Sequence, residues 1–256
     1  MKYVLTALLA LSLPTALAGN LRVGATPVPA AEILEFVKPI LAKQGVNLTV
    51  VEFNDYVQPN IALGDGAIDA NLFQHEPYLK AFQEKRPLGI VVAARVYVPP
   101  LGVYSRKVKD LQDLKSGSTI AIPNDPTNAA RALKLIERAG LIRLDPKAGI
   151  TATVFDIRSN VKKLKFRELE AAQLPRSLPD VDAAVINTNY ALEVGLNPVK
   201  DAIFLEPKTS PYANVLATTQ AKLSNPDLQK LKKVLLSAET RQFIQKKYGG
   251  SIIPVF

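Results

Sequence analysis

The chain has 256 residues, 48% of them hydrophobic and 21% charged, and its 32 Lys and Arg outweigh 23 Asp and Glu to give a formal net charge of +9. That balance fits one large or two modest globular domains and excludes a disordered, collagen-like or low-complexity chain. With no cysteine and one histidine, it also excludes disulfides, thiolate metal sites, cysteine nucleophiles and histidine-rich metal centres.

Met1-Lys2-Tyr3 gives a positive start, residues 4–13 are apolar, Pro14 interrupts them, and Ala16-Leu17-Ala18 is a small-x-small cleavage site. The apolar run is about half of the roughly 20 residues a transmembrane helix needs, so residues 1–18 are predicted to be a secretory signal peptide. Cleavage after Ala18 makes Gly19 the first residue of an exported chain. The lysines are dispersed, with local clusters at Lys162, Lys163 and Lys165, at Lys230, Lys232 and Lys233, and at Lys246 and Lys247. No aromatic residues are interleaved with them, so they read as solvated faces, and no nucleic-acid partner is expected.

In chain order, residues 21–24 read as a strand, followed by the Thr26-Pro27 turn and a helix over 29–44. Ile33, Leu34, Val37, Ile40 and Leu41 give that helix one apolar stripe, and Gly45 is its stop. A strand over 46–53, a short helix from Pro59 to Gly64, a strand over 68–72, a helix over 78–84 and a strand over 90–98 complete a first alternating unit. After a polar helix-and-turn piece at 110–118 the pattern restarts. A strand over 119–122 leads through Pro123-Asn124-Asp125-Pro126 into a helix over 127–139, with Asp125 at the N-cap and Gly140 as the stop. Ile68-Asp69-Ala70-Asn71 is echoed by Val181-Asp182-Ala183-Ala184. Residues 211–219 read as a strand and 227–248 as a last amphipathic helix. The predicted fold is α/β, with two similar lobes and a cleft beyond the carboxyl ends of their strands.

Phosphate-loop, dinucleotide-binding and nucleophile-elbow motifs are absent. Glu168 and Glu170 point to one face of a polar strand and read as solvated. Thr127, Asn128 and Arg131 open the second-half helix, whose N-terminus favours anions. A guanidinium there can hold a carboxylate by two parallel hydrogen bonds, and an ordinary capped helix with a surface arginine fits the spacing equally well. Phe73, His75 and Tyr78 stand between a strand end and a helix, where two rings and an imidazole can line an apolar pocket. A structurally satisfied histidine is the plainer reading of His75 alone. Asn187 and Asn189 occupy the corresponding strand end of the second half, as turn residues or as partners for an ammonium or carboxylate. Tyr212 and Asn214 lie on the returning strand. No nucleophile–base pair or metal-ligand cluster emerges, so binding without catalysis, cofactor or metal is expected.

Several segments carry a wider resemblance. They are Phe53-Asn54-Asp55-Tyr56-Val57-Gln58-Pro59-Asn60, Asp69-Ala70-Asn71-Leu72-Phe73-Gln74-His75-Glu76-Pro77-Tyr78-Leu79 and Ile122-Pro123-Asn124-Asp125-Pro126-Thr127-Asn128. Ala184-Val185-Ile186-Asn187-Thr188-Asn189-Tyr190-Ala191 and Ser210-Pro211-Tyr212-Ala213-Asn214 continue the series. In this order, over nearly the whole exported chain, the sequence resembles the periplasmic methionine-binding proteins of ABC importers, the NlpA lipoprotein family.

The resemblance implies a two-lobed periplasmic-binding-protein fold with two crossover strands, lobe 1 being residues 19–104 plus 212–256 and lobe 2 residues 105–211. It implies an amino acid in the cleft: Arg131 on the α-carboxylate with Asn128 beside it, Asn187 and Asn214 on the backbone polar groups, and Tyr56, Phe73, His75 and Tyr78 around the side chain. The implied ligand is L-methionine, with D-methionine, another small amphipathic amino acid or a short methionine-containing peptide as alternatives. The implied partners are an ABC permease and its ATPase, and a monomer is expected. Two features depart from the family. Gly19 stands where a lipid-carrying cysteine is usual, which implies a freely periplasmic chain, and Pro29-Ala30-Ala31 replaces a segment that often holds histidine, which implies a changed pocket edge.

Overall fold

The computed structural model describes residues 19–256, so the predicted signal peptide lies outside the described residues. β1 (Gly19–Ala25) runs parallel to β2 (Val46–Glu52) on one side and β3 (Ala70–His75) on the other. α1 (Glu32–Ala42) connects β1 to β2, α2 (Gln58–Gly64) precedes β3, and α3 (Glu76–Lys85) leads to β4 (Ile90–Val98). The chain then leaves this sheet. It forms β5 (Gly102–Tyr104), β6 (Thr119–Pro123), α4 (Pro126–Arg138), a hairpin of β7 (Arg143–Leu144) and β8 (Ile157–Ser159), and β9 (Lys165–Leu169). α5 (Leu174–Ser177), β10 (Ala183–Ile186), α6 (Thr188–Glu193), α7 (Pro198–Asp201) and β11 (Phe204–Leu205) follow. The return brings β12 (Asn214–Thr219), α8 (Pro226–Leu235), α9 (Ala238–Tyr248) and β13 (Ile253–Pro254).

Six strands pair in the order β13-β4-β12-β3-β1-β2 and five in the order β11-β5-β10-β6-β9. Each sheet has a parallel trio, β2-β1-β3 or β9-β6-β10, next to one antiparallel strand, β12 or β5. That antiparallel strand is in each case the one that has just arrived from the other sheet. The echo seen in the sequence is therefore an echo of topology, and the two-lobed fold with two crossovers follows from it.

The chain passes between the sheets at residues 99–101 and 206–213. The first passage comes earlier than the expected boundary at 104/105, because Gly102–Tyr104 pairs with β10 and β11 in the five-stranded sheet.

Each lobe has its own core. Ile33, Leu34, Val37 and Leu41, on the predicted stripe of α1, are buried with Val23, Leu48 and Val96 of the sheet and Leu228, Leu231 and Leu235 of α8. Leu133 and Ile136 of α4 join Val103, Ile120, Ile122 and Val185. Each such side chain contributes about 1.5–3 kcal/mol by leaving water.

Three elements differ from their sequence reading. The helix over 29–44 starts with an irregular turn at Pro27–Ala31 before α1, because Val28 is extended (φ −125°, ψ 135°). The strand over 68–72 begins at Ala70 and runs on to His75, since Asn71 and Gln74 are buried in mutual hydrogen bonds and need no solvent. The last helix breaks after Leu235, where Ser237 caps α9 by accepting from the Thr240 N–H at 3.2 Å. Gly140 does close α4: its φ of +77° lies in the left-handed region that side chains avoid.

Candidate ligand-binding site

The carboxyl ends of the parallel strands meet between the lobes and border a partly open cleft with about 340 Å³ of empty space, some of it open to solvent. Tyr56, Phe73, His75 and Tyr78 line it from the first lobe; Asn128, Arg131 and Asn187 line it from the second; Asn214 closes it at the start of β12. The eight residues expected around the ligand thus border one space, with Asn189, while Thr127 and Tyr212 lie outside its lining. Pro29, Ala30 and Ala31 do not line it, and Ala30 and Ala31 are buried in the first-lobe core.

The aromatic wall is built on two turns. His75 ends β3 and caps α3, its Nδ1 accepting from the Tyr78 N–H at 3.1 Å. Tyr78 donates its hydroxyl to the Tyr56 carbonyl at 2.8 Å, and the Tyr56 ring lies 6.0 Å from Phe73 and 5.9 Å from Tyr78, centroid to centroid. Aromatic pairs at this spacing attract through edge and offset contacts beyond their buried area. Behind Phe73, the amides of Asn60, Asn71 and Gln74 bond to one another in full burial and hold β3 rigid. The lobes touch across the cleft. Tyr56 donates to Asn189 Oδ1 at 2.6 Å and Tyr190 to the Asn54 carbonyl at 3.2 Å.

The polar wall has a defined donor and acceptor pattern, fixed by a relay. Asp125 caps α4 and accepts from both the backbone and the amide nitrogen of Asn128. That turns Asn128 Oδ1 toward the cleft, where it accepts from Asn187 Nδ2 at 3.0 Å and meets His75 Nε2 at 3.2 Å. Because Nδ1 of His75 is an acceptor, Nε2 carries the proton. Burial, followed by the neighbouring Arg131 charge, lowers the His75 pKa to about 3, so the ring is neutral at physiological pH. With its Nδ2 engaged, Asn187 is left with Oδ1 buried and without a partner. Asn214 donates Nδ2 to the Phe73 carbonyl at 3.0 Å, which leaves its oxygen as acceptor too. Asn128 itself is engaged on both sides of its amide and works as the hub of this relay.

Arg131 is 2% exposed and does not use its fork as the sequence suggested. Nε and Nη2 grip Glu206, Nε at 3.0 Å from Oε1, and Nη2 also donates to the Pro99 carbonyl at 2.9 Å. The guanidinium stacks 4.4 Å from the Tyr212 ring centroid, and Tyr212 in turn lies 5.0 Å from the His75 ring. Among the described residues Nη1 has no hydrogen-bond partner, so it holds the donors that remain for a ligand carboxylate.

Sequence reasoning missed Glu206, Pro99, Thr188 and Gln74. One signal was available for Glu206: it is the only acidic residue between Asp201 and Asp227, and a buried arginine requires a counter-charge. Both ring nitrogens of His75 are committed, Nδ1 to the Tyr78 N–H and Nε2 to Asn128. Among the described residues no cluster of three acidic or histidine side chains can hold a metal ion.

Two α/β lobes joined by two crossovers, with a cavity where they meet, define a periplasmic substrate-binding protein fold. Residues 21–256 match the NlpA lipoprotein family, and the chain belongs to that family. The D-methionine-binding lipoprotein MetQ of Escherichia coli K12 is 44% identical over 213 residues, which is 82% of this chain and 79% of the relative. A nutrient binding protein from Burkholderia cenocepacia, solved bound to methionine, is 50% identical and aligns with a TM-score of 0.90 over 92% of this chain and 100% of that one. An ABC transporter periplasmic substrate-binding protein from Coxiella burnetii is 47% identical, with a TM-score of 0.88 over 92% of this chain and 100% of that one.

Proposed function

We propose that this chain captures L-methionine in the periplasm and delivers it, as a monomer, to the permease of an ABC importer, without catalysis. The observation that carries the reading is the buried, unpartnered Asn187 Oδ1 on the wall opposite the aromatic rings. An unpaired buried acceptor costs free energy unless a donor arrives, and an ammonium group is such a donor. Asn187 and Asn214 would take that ammonium, Arg131 Nη1 the carboxylate, and Tyr56, Phe73, His75 and Tyr78 the thioether, which packs favourably against aromatic rings. The lobes, residues 19–98 with 214–256 and residues 102–205, would close about the two crossovers as hinges.

Methionine should therefore raise the melting temperature of ligand-stripped protein and lower its radius of gyration in small-angle scattering. Glutamine, of equal length but with an amide that the aromatic wall cannot pair, should do both less well. Equal protection by glutamine overturns the methionine assignment, and a melting shift without compaction overturns the hinge. A parallel titration with D-methionine tests the stereochemistry suggested by the Escherichia coli relative's name. Calorimetry with recovery of unchanged ligand separates a binder from an enzyme.

The 256 residues include no cysteine to carry a thioether-linked lipid. After osmotic shock the processed protein should appear in the soluble fraction with an N-terminus near Gly19. Recovery in the detergent phase, with added diacyl mass, would refute this.

A further inference from the structure

We infer that Glu206 is a specificity-determining residue: it neutralises Arg131 so that the cavity accepts a zwitterion and rejects a ligand that carries a carboxylate alone. The inference rests on the amino-acid reading of the cavity.

Arg131 and Glu206 are 2% and 9% exposed and joined side-on, so two opposite charges are buried as one neutral unit. A lone buried guanidinium would be an indiscriminate anion trap, because at low dielectric its charge attracts any carboxylate. Glu206 changes that in two ways. It occupies the Nε–Nη2 edge, one of the two that offer a carboxylate a parallel pair of donors, and with Nη2 also given to the Pro99 carbonyl only Nη1 is left. It also sets a negative charge behind the guanidinium, off the cavity wall, so that the pair offers no net positive charge to a ligand that does not bring its own ammonium. That ammonium has acceptors waiting at Asn187 and Asn214, and its charge is attracted by Glu206.

The location is equally telling. Glu206 opens the second crossover, its N–H donates to the Leu101 carbonyl at 2.9 Å, and its Oε2 accepts from the Leu101 N–H at 3.2 Å. Arg131 donates to Pro99 on the first crossover. The ion pair is thus tied to both passages between the lobes, and its geometry survives any motion that preserves them.

The test compares methionine with 4-(methylsulfanyl)butanoate, which lacks only the amino group, by calorimetry on wild type, Glu206→Gln and Glu206→Asp. Wild type should bind the butanoate at least about a hundredfold more weakly than methionine, since the analogue leaves buried acceptors unpaired and meets an ion pair with no net positive charge. In Glu206→Gln the butanoate should bind about tenfold or more tighter than it does to wild type, and the preference for methionine should narrow by the same order. Glu206→Asp keeps the charge and should keep the preference within about threefold. A wild-type preference below tenfold overturns the inference. So does a Glu206→Gln variant in which both affinities move by one common factor, because that marks a structural role only. If Glu206→Gln does not fold, as judged by circular dichroism, the wild-type and Glu206→Asp results decide the question. Wild type that fails to bind methionine instead sinks the functional reading, a distinct outcome.

Discussion

Arg131→Ala is expected to weaken methionine binding by on the order of 2–5 kcal/mol, roughly thirtyfold to several thousandfold. The substitution removes the donors offered to the ligand carboxylate and also strands the Glu206 carboxylate in a site that is 9% exposed. An unpaired buried charge of that kind costs about 3–5 kcal/mol of folding stability. The ligand-free melting temperature must therefore fall as well, and affinity should be measured well below it. Arg131→Lys separates the two effects. A single ammonium restores a charge for Glu206 but cannot bond Glu206 and the Pro99 carbonyl side-on, stack on Tyr212 and still present a donor to the cavity. Lysine should accordingly recover much of the stability and little of the affinity. An alanine variant with wild-type affinity would remove Arg131 from the site.

The second large effect concerns acid. His75 is the only histidine, and its folded pKa of about 3 lies below its ordinary value of 6.5. Below 6.5 the unfolded chain takes up a proton that the folded chain refuses. Stability should then fall with pH at up to about 1.4 kcal/mol per unit from 6.5 down toward 3. Asp125 and Glu193, whose carboxyls burial pushes upward, act in the opposite sense, while Asp69 and Asp182 lie below their usual range and add to the loss only in stronger acid. His75→Asn isolates the imidazole, because asparagine also caps a helix N-terminus but does not titrate. Whatever the starting urea midpoint, its slope between pH 6.5 and about 4 should flatten. An unchanged slope would show that the ring is protonated in the folded state.

Much of this was legible in residues that act locally. The stripe of α1, the Asp125 cap and the Gly140 stop are nearest-neighbour chemistry, and each stands where the spacing put it. What was illegible depends on distant partners. Gln74 looks like a residue of a turn until Asn60 and Asn71 are beside it, and β3 then runs three residues beyond Leu72, to His75. Ser237, which caps α9, lies within a stretch whose amphipathic pattern reads as one helix over 227–248. The guanidinium of Arg131 was placed correctly, but the acid that claims its fork lies 75 positions away, on a passage with no motif of its own. Asn128 was read as a ligand contact because it adjoins Arg131. Its geometry also makes it the residue that turns Asn187 to face the cavity.

The strand exchange between the sheets also dictates an order of assembly. All five strands of the second sheet lie within residues 102–205, so that sheet has its full complement as soon as this stretch has emerged from a ribosome or a translocation channel. The first sheet does not. β12 sits between β4 and β3, and until it arrives, more than a hundred residues after β4, the sheet has a gap at its centre. Long-range pairing of this kind is slow because a large loop must close first. The lobe that starts first is thus the last to become complete.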